Sequence, residues 1–165
     1  MIPLIFIYTH DMMFQAVKEE ASQLAIRKAD KDGNPLFEQL VFDEAYLIKF
    51  RQLFFNAQAN IIPTIAVYMK CIPTDAKYFE RQDFTKDRDY TFSLLMPCDF
   101  NKHVTKQIED CIFNFVKDWI MYKWLKTKSP TDAAYFLEDA EQSKTDLRIA
   151  LSKRINPIRR NGYYF

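Results

Sequence analysis

Only two glycines, Gly33 and Gly162, occur among 165 residues, against 15 Phe, 9 Tyr and 2 Trp. Gly-rich phosphate loops, tight type I′ hairpins and barrels with kinked corners all need residues that accept positive φ, so most of those folds are excluded. Long helices joined by polar connections need far fewer glycines. They leave the aromatic side chains to fill helix faces and contact surfaces. A single domain of this length buries about two thirds of the surface its unfolded chain exposes. The 48% hydrophobic and 27% charged content is that of a globular protein. The expected fold class is mainly α with a minor β part: one antiparallel helix bundle over 1–157, carrying a small β element, and an extended C-terminal arm over 158–165.

The opening "PLIFIYT" is dense in Ile, Phe and Tyr and reads as a short strand over about 3–8, or as a buried extended arm. From Asp11 to about Asp30 the period changes: Phe14, Val17, Ala21, Leu24 and Ala25 share one helix face. Asp32-Gly33 and Pro35 then mark a loop. Asp43 is placed to cap a second helix, whose stripe is Tyr46, Phe50, Leu53, Phe54, Ala57 and Ile61 and which Pro63 is expected to end or kink. Over 62–72, β-branched residues and prolines favour a strand above a helical continuation. Thr74 to Asp89 is polar with interspersed aromatics and reads as an exposed loop, of the kind that orders against another subunit. Over 90–96, Tyr90, Phe92, Leu94 and Met96 alternate with Thr91, Ser93 and Leu95, which predicts a strand with one buried face, able to pair with the first.

The strongest element runs from about Asn101 to Lys128. Val104, Ile108, Cys111, Ile112, Phe115, Trp119 and Tyr122 form its stripe, and further apolar residues through Leu125 widen it over most of the circumference, so it is expected at the centre of the bundle. Ser129 as cap, Pro130 in the first helical position and Asp132 in a capping-box relation predict a last helix to about Arg154, antiparallel to the central one and stopped by Asn156-Pro157.

Catalytic, cofactor and metal motifs are not found. His10-Asp11 is the only histidine beside a carboxylate, has no neighbouring nucleophile, and reads as a helix start with Asp11 near the positive end of the dipole. Glu19-Glu20 and Glu109-Asp110 are adjacent on helices and point about 100° apart, so neither pair makes a metal site alone. The ExxH signature of di-iron bundles is missing. Cys71, Cys98 and Cys111 match neither zinc nor redox spacing and suit a reducing compartment. A base-stacking platform at Trp119, Tyr122 and Trp124 is outweighed by a core or subunit-contact reading. The net charge of +1 gives the whole protein no preference for nucleic acid or anionic membrane. "IPLIFIY" is too short to span a bilayer and no secretion-signal pattern is seen, so assembly in a cytoplasm is expected.

After Asp146 no acidic residue follows, while Arg148, Lys153, Arg154, Arg159 and Arg160 do, and the chain ends in Tyr163-Tyr164-Phe165. Cations near a helix C-terminus interact with its dipole, but Arg159 and Arg160 lie beyond the predicted helix. Arg154, Ile158, Arg159, Arg160, Tyr163, Tyr164 and Phe165 are therefore the candidate subunit or partner interface, an arm suited to hooking over a neighbour. The competing reading is a frayed tail.

Three segments, "DEAYLIKFRQLFFNAQANI", "YTFSLLMP" and "DAAYFLEDAEQSKTDLRIALSKRINPIRR", give the chain a resemblance to the head-to-tail connector (adaptor) proteins of tailed bacteriophages, and most to small virion structural proteins from phages and prophages of Bacteroides-type hosts. The loop from Thr74 to Asp89 departs from that pattern, and no functional residue transfers. The resemblance implies a virion protein of the neck or tail region: a ring of about a dozen subunits below the portal, binding portal and tail proteins, passing DNA without sequence readout and catalysing nothing. Ring subunits contact neighbours heterologously, so each needs two different sticky surfaces, which strand edges and the arm can supply. Two rivals stand beside it: a tail terminator or completion protein, and a small regulator that binds nucleic acid through its basic tail.

Overall fold

The computed structural model describes residues 1–28, 37–69 and 83–155. Within them the chain is mainly helical with a two-stranded sheet. Strand β1 (Ile2–Tyr8) pairs antiparallel with β2 (Tyr90–Met96), in a register from Ile2 opposite Met96 to Tyr8 opposite Tyr90. The alternation in β2 is borne out: Tyr90, Phe92, Leu94 and Met96 are buried.

Helix α1 (His10–Arg27) begins where Thr9 turns extended and its hydroxyl accepts the Met12 amide. It buries Phe14, Val17, Ala21 and Ala25 as their spacing predicts. The Asp32-Gly33 loop lies outside the described residues. A short helix, α2 (Phe37–Leu40), leads to Asp43, whose carboxylate accepts the Ala45 amide and starts a 3₁₀ turn (Glu44–Tyr46) running into α3 (Leu47–Ile65).

Pro63 does not end α3, and 62–68 is not a strand. The helix continues to Ile65 and a 3₁₀ turn follows over Ala66–Tyr68. Proline removes one backbone hydrogen bond here, while Ile61 and Ile65 on either side of it stay fully buried and hold the stripe in place. Only Met69 shows strand character, as an isolated bridge to Leu94. Residues 70–72 lie outside the described part.

Helix α4 (Thr105–Leu125) occupies the centre, in contact with α1, α3 and α5. The last helix, α5 (Pro130–Ser152), lies along it in the most extensive contact among the described residues, ending two residues before Arg154. Ser129 does sit at the cap, but its hydroxyl meets the Asp132 carboxylate instead of a backbone amide. Lys28 reaches the same carboxylate at 2.9 Å and ties the end of α1 to the start of α5. Burial works to raise the Asp132 pKa, but Ser129 and Lys28 together outweigh it and hold the carboxyl below its usual range.

Aromatic rings fill the joint between these helices: Phe50 meets His10, Phe14, Phe42 and Phe54, with centroids 5.2 to 6.1 Å apart. At the far end Trp124 packs edge-on against Phe42, donates its Nε1–H to the Leu40 carbonyl at 3.1 Å and carries the Lys128 ammonium 3.3 Å from its ring centroid. Trp124→Phe would leave the buried Leu40 carbonyl unpaired and weaken the cation contact. We expect a loss of about 2 kcal/mol in urea unfolding with an unchanged denaturant slope.

Candidate functional site

The first strand is apolar on both faces, and only one face is used by the core. Phe6 and Tyr8 point inward, where Tyr8 packs on Phe92 and donates its hydroxyl to the Glu109 carbonyl at 3.0 Å. Met1, Pro3, Ile5 and Ile7 point outward and are exposed, Ile5 at 63% and Ile7 at 60%. Their neighbours across the ladder, Thr91, Ser93 and Leu95, add no charge to this face. Among the described residues no strand pairs with the second edge of β1. An apolar row on an open sheet edge is a template for another chain.

A second concavity lies between the start of α1 and the first turns of α4. Tyr8, Met12 and Phe113 form its apolar floor and Lys106, Glu109 and Asp110 its rim, around about 220 Å³. On α4 these residues fall at i, i+3, i+4 and i+7, so they share one face. Lys106 pairs with Glu109 at 3.0 Å and Asp110 at 3.1 Å, one cation against two carboxylates. Burial first, and then the Glu109 and Asp110 charges, push the Tyr8 phenol up.

The root of the predicted arm is fixed. Arg154 forms an isolated antiparallel bridge with Phe100, the Asn101 amide donates to the Lys153 carbonyl at 3.3 Å, and the Ile155 amide to the Asp99 carbonyl at 2.8 Å. The Arg154 guanidinium donates to the Leu151 carbonyl and lies 3.5 Å from the Asp99 carboxylate. Of the predicted interface residues, Arg154 is thus engaged with its own chain as an anchor. Ile158, Arg159, Arg160, Tyr163, Tyr164 and Phe165 lie outside the described residues.

The structure brings together groups that the sequence reading missed. Residues 74–82 of the predicted exposed loop lie outside the described part, but 83–89 is fastened to the protein's own helices. Arg51 donates to the Phe84 carbonyl at 3.0 Å, to the Thr85 carbonyl at 3.1 Å and to the Asp87 carboxylate, while the His10 amide donates to Asp89 at 2.8 Å. His10 begins α1, as its spacing to Asp11 implies, and its side chain is buried. Its Nδ1 lies 3.2 Å from Asp11, and Nε2 lies 3.4 Å from Asp87 without hydrogen-bond alignment. The two ring nitrogens face different carboxylates, and Arg51 already supplies the positive charge at Asp87. Thr9, the nearest hydroxyl in sequence, serves the Met12 amide. The cluster therefore works as a clasp between α1, α3 and the segment before β2.

Asp118 is the other unforeseen group, a carboxyl on the buried face of α4. Burial raises its pKa to about 6 against the opposing pull of Lys117, which lies 3.5 Å away and is itself paired with Glu20 at 3.1 Å. Cys98 and Cys111 are free thiols; Cys71 lies outside the described residues. Among the described residues no helix is long and apolar enough to cross a membrane. Comparison with family models, with curated proteins and with solved structures found no match to this chain.

Proposed function

We propose that this chain is a non-catalytic assembly subunit that binds further copies of itself, of the kind that forms the head-to-tail connector of a tailed bacteriophage. In that setting it links portal and tail proteins as a ring around the DNA channel. The observation that carries the reading is the row Met1, Pro3, Ile5 and Ile7, an exposed apolar face on an open sheet edge. A stable monomer protects such an edge with charge, a bulge or a covering element. Among the described residues this face carries no charge, bulge or covering element, and Pro3 is its one edge guard, while every other long element turns its apolar stripe inward. The phage setting is supported by the resemblance of the segments at 43–61, 90–97 and 132–160.

Removal of residues 158–165 tests the part played by the arm. Leu151, the last buried side chain among the described residues, and the root contacts of Lys153, Arg154 and Ile155 all precede the cut. The truncated chain is expected to keep its thermal midpoint and to lose mass in sedimentation relative to the full chain at equal concentration. Unfolding on truncation would place the arm in the core, and undiminished association would remove it from the interface.

A further inference from the structure

We propose that the groove between α1 and α4 receives the C-terminal arm of a second copy, which deepens the assembly reading above and rests on it. Three observations converge on this occupant. The first is chemical match. The rim holds Glu109 and Asp110 against the single cation Lys106, and the floor is Tyr8, Met12 and Phe113. The arm offers Arg159 and Arg160 followed by Tyr163, Tyr164 and Phe165. Arginine pairs bidentately with carboxylates where lysine cannot, so the two arginines supply the missing positive charge.

The second is size. The groove measures about 220 Å³, and a cavity of about 150 Å³ holds a benzene ring, so one aromatic side chain fits in it.

The third is direction. The arm root runs antiparallel to 99–101, with Lys153 facing Asn101 and Ile155 facing Asp99. From Lys153 to Ile155 the root thus runs toward the Asp99–Cys98 side, where the Cys98 sulfur lies 3.1 Å from the Met1 amine. The ten residues that follow Ile155 span at most about 33 to 36 Å. In the proposed assembly this reach carries the arm to the groove of the copy that covers the apolar row. Arm and groove are different surfaces, so the contact is heterologous and propagates around a ring.

The test uses the full chain with a photoreactive benzoyl-phenylalanine at Tyr164, prepared in light and heavy isotope forms and mixed. The expected result is mixed-isotope crosslinks between position 164 and Met12 or Phe113. Glu109→Arg with Asp110→Arg should reduce these at least tenfold, and adding Arg159→Glu with Arg160→Glu should restore them. Crosslinks confined to a single chain, or crosslinks elsewhere on a chain that does assemble, would overturn the groove assignment and leave assembly standing. A monomer at every concentration would overturn both.

Discussion

Replacing Ile5 and Ile7 with lysine is expected to leave the chain folded and to abolish the proposed association with further copies. Both side chains point away from the core, so their loss costs little in the monomer, where surface substitutions usually stay within about 0.5 kcal/mol. Lysine on an edge strand is also a usual guard against edge pairing. In an assembly that covers the row, each buried isoleucine contributes at least about 1.5 kcal/mol, and the two together set an affinity loss of about 100-fold or more. Ile26→Lys is the control: Ile26 is 73% exposed but lies near the end of α1, apart from the row. Its substitution should leave association unchanged. Equal loss of association in both variants would show that general surface hydrophobicity, not the β1 row, drives the contact.

Asp118→Asn stabilises the protein at alkaline pH and not in acid. The folded-state pKa of about 6 lies above the ordinary value of 3.8, so burial favours the protonated form. The sign follows from linkage: stability from this group is fully present below pH 3.8, declines as pH rises between 3.8 and 6, and is lost above that. Two units of difference correspond to about 3 kcal/mol at pH 8. The amide removes the charge and with it the penalty, and Lys117 keeps Glu20 as a partner. Urea unfolding of both proteins should therefore diverge by up to about 3 kcal/mol at pH 8 and coincide near pH 4. A difference independent of pH would mean that Asp118 contributes through packing and not through charge.

The helical scaffold was legible because its signals are periodic. The stripe from Ile108 to Leu125 and the spacing of Phe50, Phe54, Ala57 and Ile61 each define a face, and burial follows those faces. The alternation over 90–96 predicted both strand and buried side. Pro63 misled because a helix loses only one hydrogen bond to proline when flanking residues remain packed. The contacts of Arg51 with Phe84, Thr85 and Asp87 span more than 30 positions and have no period, so nothing local announces them. Asp118 had a signal that could have been used: a lone carboxylate inside an apolar stripe, between Phe115 and Tyr122, must be buried or break the face. The outer face of β1 was also readable. "IPLIFIY" does not alternate in polarity, so its outer face is apolar, and in the structure that face is exposed.

The mass of the full-length protein by sedimentation equilibrium, followed over a wide concentration range and across salt concentrations, tests the central claim most directly. Self-assembly through an apolar row predicts a mass that climbs with concentration to a closed ring and persists at high salt. A single 19.7 kDa species throughout, with salt-sensitive binding to DNA in its place, would contradict the assembly account and favour a nucleic-acid regulator.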